Sequence, residues 1–179
     1  PVAMQFSAAE SRAAPKGVPL VTKQDVEASL TASLNALNTD YIDYFLLHET
    51  PQDAVRDDAL EFLLQAKSLG RIDKIGIAAN GGYLQTYSES DLSDRDVVQY
   101  EYGPHWPMHD NWLRKFPSKM HIFHSCLSGR QSSSEHQHDA AQILAANVAK
   151  NPYGKVLFSS MNIENVRRNT QTAILSQGT

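Results

Sequence analysis

Five short apolar runs alternate with five segments of helical period, and that alternation constrains the fold more than any single motif. The runs are YIDYFLL (41–47), DKIGIAA (73–79), DVVQYEY (96–102), MHIFHSC (120–126) and KVLFSS (155–160). The first is mostly apolar on both faces, as a strand buried between two layers must be. Between the runs, QDVEASLTASLNALN spaces Val26, Leu30, Leu34 and Leu37 along one helical face, with Thr22 placed to cap it. DDALEFLLQAKSLG turns Leu60, Leu63, Leu64 and Leu69 inward and stops at Gly70. DNWLRKF reads as a short helix, HDAAQILAANVAK as one with Ala141, Leu144, Ala145 and Val148 on one side, and IENVRRNTQTAIL as the last, capped by Asn162. Gly81-Gly82 reads as turn chemistry.

Strand followed by helix, repeated, means right-handed crossovers and a parallel sheet. No GxGxxG follows any of the runs, so an open dinucleotide-binding sheet lacks its main signature. Polar residues collect where the runs end: His48-Glu49, Asn80, Gln99 with Glu101, Ser125 and Ser159-Ser160. Polar groups at the C-terminal strand ends are the mark of a (β/α)8 TIM-type barrel. The expected fold is therefore α/β, a barrel of that type in partial or truncated form. Residues 1–23 are expected to be irregular and 24–179 to form the barrel portion.

Composition narrows the function classes. Twenty acidic against sixteen basic residues, a formal net charge of -4, argue against a nucleic-acid binder. A single cysteine, Cys126, cannot form an intramolecular disulfide and suits a reducing compartment. The apolar runs are too short to span a membrane and the N-terminal stretch lacks the apolar core of a signal peptide, so the expectation is a cytoplasmic protein without a membrane partner.

SLTASLNALNTDYIDYFLLHE resembles the signature of the aldo-keto reductases, in which a helix leads into a DY-[IL]-D strand that ends in histidine. GRIDKIGIAANG, VVQYEYGP, FHSCLSG and KVLFSSMNIENVRRN resemble four further motifs of that family, in the family's order, over about residues 24–175. The resemblance implies reduction of a small carbonyl substrate to an alcohol by hydride transfer from NADP(H), with NAD(H) left open. It makes His48 the histidine that orients the carbonyl and shares its developing charge, a task for neutral imidazole. It also makes Gln99, His124, Ser125, Leu127, Ser160, Asn162 and Asn169 the cofactor-binding residues, with His124 the flat ring against the nicotinamide.

The chain departs from the pattern in several places. The family's aspartate, tyrosine and lysine belong to its first three strands, which have no recognisable counterpart here; LVTK with Lys23 faintly resembles the lysine-bearing strand end, but it runs straight into a helix at a shorter interval from His48 than the family has. The Ser-Asn pair that holds the carboxamide falls on Ala78 and Ala79, which have no side-chain donors or acceptors. The phosphate-binding lysine and arginine fall on Ser159 and Asn165, which weakens the case for a 2′-phosphate. The expectation is thus an oxidoreductase with impaired or no activity in this form. The rival is an inactive barrel remnant that binds a nucleotide or a protein.

Other readings are plainer. His105 and His109, His121 and His124, and His136 and His138 suggest metal pairs, but three residues along a strand put His121 and His124 on opposite faces, and no metal is expected. Trp106 and Trp112 serve packing or a pocket equally well, and Cys126 is expected to be a buried, inert thiol. Five strands of a barrel would leave two unpaired edges, which a homodimer could cover.

Overall fold

The computed structural model describes residues 17–103, 106, 109–127 and 140–176. Five parallel strands alternate with helices, giving the expected α/β fold. The chain divides into two compact units, the first ending at Val98 and the second starting at Gln99.

The first unit holds α1 (Lys23–Leu37), β1 (Ile42–His48), α2 (Asp57–Ser68), β2 (Ile72–Ala78), the short α3 (Gly81–Leu84) and the start of β3 (Val97–Glu101). Thr22 caps α1 through a capping box: its hydroxyl accepts the Asp25 N–H, and the Asp25 carboxylate accepts the Thr22 N–H at 2.9 Å. Val26, Leu30 and Leu34 are buried as their spacing predicts, but Leu37 is exposed. It is the last helical residue, and Asn38, at φ 51, turns the chain away. In α2 the buried face is Ala59, Leu63 and Ala66, with Leu60 and Leu64 half-buried. Leu69 is exposed because the helix ends at Ser68 and Leu69 is its cap; Gly70, at φ 73, completes the stop.

β1 and β2 pair in parallel from Ile42↔Ile72 to His48↔Ala78. Their middle residues, Phe45, Leu46, Leu47, Ile75 and Ile77, are the apolar core. Gly76 lets the next strand approach, since a Cβ there would meet the Val97 carbonyl oxygen at 2.3 Å. The Asp96 carboxylate takes the Ile75 N–H at 2.9 Å and the Lys67 ammonium at 2.5 Å, tying α2 to the sheet. Gly81-Gly82, read as turn chemistry, opens a single helical turn. Asn80 accepts from the Gly82 and Tyr83 amides and starts the helical turn α3.

The second unit holds the rest of β3, α4 (Asp110–Lys115), β4 (Met120–His124), α5 (Ala140–Lys150), β5 (Lys155–Val156) and α6 (Ile163–Ser176). Its core is aromatic and hydrogen-bonded. Tyr102 stacks on Phe123 with ring centroids 3.9 Å apart, and Tyr100 meets His121 edge-on at 5.7 Å. His121 Nε2 lies 3.0 Å from the Phe116 carbonyl, which can only accept, so Nε2 carries the proton. Nδ1 is then left to accept from the Tyr100 hydroxyl, also at 3.0 Å. In α5, Ala141, Leu144 and Val148 are buried as expected and Ala145 half-buried.

The expected strand 155–160 shrinks to Lys155–Val156, paired with Ile122 and Phe123. The Leu157 N–H still reaches the Phe123 carbonyl at 2.7 Å, after which Leu157 and Ser159 are exposed and pairing ends. Gly154 is forced: a Cβ there would lie 2.1 Å from the His121 carbonyl oxygen, beside the Asn151 amide that bridges to it. Residues 1–16 of the expected irregular segment lie outside the described residues. At its end Val21 bridges to Val55 in parallel.

Candidate functional site

The first unit delivers His48 at the C-terminal end of β1, where an apolar strand gives way to polar chain. Its imidazole is half-buried and makes no side-chain hydrogen bond among the described residues. The backbone around it is held on both sides. The Glu49 N–H donates to the Ala78 carbonyl at 2.8 Å, and its carboxylate accepts the Asn80 N–H at 2.9 Å and the Asn80 side-chain amide. The Thr50 hydroxyl donates to the His48 carbonyl at 3.0 Å, and the buried Tyr87 hydroxyl donates to the Thr50 carbonyl at 2.8 Å. Sequence reasoning missed this Glu49–Asn80 latch and the Tyr87 strut; the polar pair at the strand end was its only trace. Ala78 and Ala79 are buried and offer nothing polar. Lys23 is an exposed residue in the first turn of α1.

The second unit contains a cleft of about 450 Å³ lined by His124, Ser125, Cys126, Leu127, Leu157, Phe158 and Ser159. Three of the residues singled out from sequence, His124, Ser125 and Leu127, thus share one cavity. His124 ends β4, and its Nδ1 lies 2.9 Å from the Ser125 hydroxyl. Ser125 has φ 55, a left-handed conformation that is costly for a residue with a Cβ. Cys126 is buried, and burial pushes its thiol up to about 11, so it is protonated and inert at neutral pH, as expected.

The remaining assigned residues have other surroundings. Gln99 is half-buried in β3. Ser160 and Asn162 are exposed and occupied with each other: the Asn162 N–H donates to the Ser160 hydroxyl at 3.1 Å, and Asn162 Oδ1 accepts the Glu164 N–H at 2.9 Å as the cap of α6. Asn169 is buried, and its Oδ1 has no donor among the described residues. Arg168, which sequence reasoning passed over, donates to Asn165 Oδ1 at 3.5 Å. That brings a guanidinium beside a position expected to lack one, and the i,i+3 spacing could have shown it.

A tyrosine, an aspartate and a lysine do meet in this unit. Asp110 accepts from the Tyr102 hydroxyl and from the Lys150 ammonium, the latter at 2.6 Å. Burial first, and then the bond to Asp110, hold the Tyr102 hydroxyl above its ordinary pKa. A proton donor in catalysis needs the opposite shift, so the trio is a clamp between the end of β3, α4 and α5. His109 and His121 are structural as well. His109 is buried, donates through Nδ1 to the Glu101 carbonyl and stacks on Trp106 at 5.4 Å. Trp112 is buried beside it. His105, His136 and His138 lie outside the described residues. Among the described residues, no group of three or more His, Cys, Asp or Glu could hold a metal ion, and no helix is long and apolar enough to cross a membrane.

Solved structures of similar architecture include aldo-keto reductases. An aldo-keto reductase from Bacillus halodurans, in its holo form, superposes with a TM-score of 0.67 at 16% identity, over 85% of this chain and 62% of its own. One from Brucella melitensis gives 0.63 at 16% identity, over 88% of this chain and 68% of its own. The chain therefore spans less than two thirds of the length of the first of these, and at such identities the likeness shows the fold alone. A comparison with curated protein sequences gave no match. The family model for aldo/keto reductases, however, matches residues 13–119, more than half of the chain and the stretch that includes β1 with His48 and β3 with Gln99. The chain belongs to the aldo/keto reductase family.

Proposed function

We propose that the chain binds a nicotinamide dinucleotide in the cleft of its second unit and acts as an NADP(H)-linked oxidoreductase on a small carbonyl compound, with weak turnover. The observation that carries this reading is the meeting of His124, Ser125 and Leu127 in one cleft. The resemblance assigns these side chains to the nicotinamide ring and the pyrophosphate. The His124 ring offers a stacking face, the Ser125 hydroxyl a donor, and Gln99 an amide for the carboxamide. Asn169 Oδ1, buried with no donor among the described residues, is the acceptor the resemblance assigns to the cofactor. When bound, the cofactor supplies the hydride.

The 2′-phosphate is the weakest part of the fit, because Ser159, Ser160 and Asn162 carry no charge. Arg168 is the group we assign to it, since a guanidinium recognises phosphate better than a hydroxyl does. Arg168→Ala should weaken NADPH binding and leave NADH binding unchanged.

His48 brings to a strand end an imidazole with no side-chain hydrogen bond among the described residues, suited to orienting a carbonyl. Proton supply is where activity fails. The buried tyrosines Tyr87, Tyr100 and Tyr102 are all held above their ordinary pKa, mainly by burial, so none is an acid ready near neutral pH. Lacking a positioned acid costs roughly 100- to 10,000-fold in rate. By the resemblance, Ala78 and Ala79 stand in place of the Ser-Asn pair that holds the carboxamide, a further loss of orienting contacts.

The test is fluorescence titration with NADPH, followed by NADPH oxidation against a panel of aldehydes for wild type and His48→Ala. Saturable binding with slow, His48-dependent oxidation is expected. Binding without any oxidation would favour a nucleotide-binding module, which the two alanines and the raised tyrosines support; absence of binding would overturn both readings. A cytoplasmic location and pairing into a homodimer belong to the same proposal. The exposed apolar residues Met161, Ile163, Ile174 and Leu175 would give a partner copy something to cover, and light scattering would detect it.

A further inference from the structure

We propose that Ser125 and His124 form a nucleophile–base pair that gives the chain a second activity, acyl transfer from small esters to water. The pair does not depend on a bound nucleotide. Ser125 sits where a parallel strand breaks into a turn, and at φ 55 it holds a strained conformation without being glycine. A serine on a sharp, strained turn after a strand is the arrangement that exposes a nucleophilic hydroxyl in hydrolases of α/β architecture. The turn is tightly packed: a Cβ on Gly103 would lie 2.9 Å from the Cys126 carbonyl oxygen.

The base is already in reach. His124 Nδ1 lies 2.9 Å from Ser125 Oγ, inside the range that proton abstraction requires, and both side chains are half-buried and line an open cleft. The Cys126 N–H, which immediately follows the nucleophile, donates to no backbone carbonyl among the described residues, and it is the group to which the proposal gives the oxyanion. Leu127, Leu157 and Phe158 give the cleft an apolar wall, which selects a short apolar acyl group. Cys126 is no competitor as nucleophile, being buried and protonated.

In the first half-reaction Ser125 Oγ attacks the ester carbonyl carbon and its proton passes to His124 Nδ1. The bond to the leaving oxygen then breaks, and that oxygen takes the proton from His124. In the second half-reaction water attacks the acyl-serine by the same route, releasing the acid and restoring the hydroxyl.

The probe is 4-nitrophenyl butyrate with the 179-residue chain. Release of nitrophenol, with a butyryl group mapped to Ser125 by peptide mass spectrometry, is expected. Ser125→Gly is the informative variant, because glycine accepts a positive φ without strain. It should melt no lower than wild type yet lose about 100-fold or more of the acylation rate. His124→Gln should lose a similar factor. An adduct on another residue, or acylation of Ser125→Gly at the wild-type rate, would overturn the proposal. NADPH titration of the same samples separates the two readings: acylation without NADPH binding retains this one alone, and NADPH binding without Ser125 acylation retains only the other.

Discussion

Phe45 of β1 and Tyr100 of β3 are both fully buried in mid-strand, yet their surroundings differ in kind. With Phe45 the first unit buries many aliphatic residues, Leu30, Leu47, Ile75 and Ile77 among them, on two seven-residue strands paired along their length. Around Tyr100 the second unit packs rings, and two buried histidines are satisfied by a hydroxyl and by backbone carbonyls. Its last strand is only two residues long. A core of the first kind depends on volume, and mutations change it gradually. A core of the second kind depends on each hydrogen bond being made, because an unmade one in a dry interior costs more than it returns when formed.

The largest effect should come from volume. Phe45→Ala is expected to cost about 4 kcal/mol in urea unfolding, whereas the conservative Phe45→Leu should cost far less. If Tyr100→Phe, which keeps the ring but leaves His121 Nδ1 without its donor, were as harmless as a volume-conserving change, the contrast between the units would collapse. Next is Gly154→Ala, expected to cost about 3 kcal/mol because its methyl collides with a backbone oxygen and a bridging amide. A neutral result would mean that the β4–β5 junction yields easily.

Acid should expose the second unit. Burial holds His121 below its ordinary value of 6.5, so the unfolded chain takes up a proton that the folded one resists. The stability present above about pH 6.5 is therefore lost progressively as pH falls toward the lowered folded value. His121→Leu should flatten that part of the profile, measured by unfolding between pH 7.5 and about 5, and a profile unchanged by the substitution would sink the assignment. The smallest effect belongs to the first unit: Thr22→Ala removes half of a capping box and should cost about 1 kcal/mol.

The same contrast explains what could be read from the sequence. Apolar spacing located all five strands and the long helices, because burial of one face leaves its period in the residues. It failed at ends, where Leu37 and Leu69 keep the period but the helix has stopped. It failed at α3, since two glycines signal a break unless Asn80 and Glu49 are known to meet across 31 residues. It also failed for the Tyr102–Asp110–Lys150 clamp, whose members stand 8 and 40 residues apart and are joined only by the fold. His124, Ser125 and Leu127 line one cleft because neighbours in sequence at a strand end are neighbours in space, but only the resemblance ties them to a cofactor. Ser160 and Asn162 were legible as polar residues, but not as groups already bound to each other.

The central claim is that a dinucleotide occupies the cleft of the second unit, and amide hydrogen exchange with and without NADPH tests it most directly. Protection concentrated in residues 124–127 and 157–160, saturating with nucleotide concentration, is the predicted result. Saturable binding that leaves those two segments unprotected, or no binding at millimolar NADPH, would contradict it.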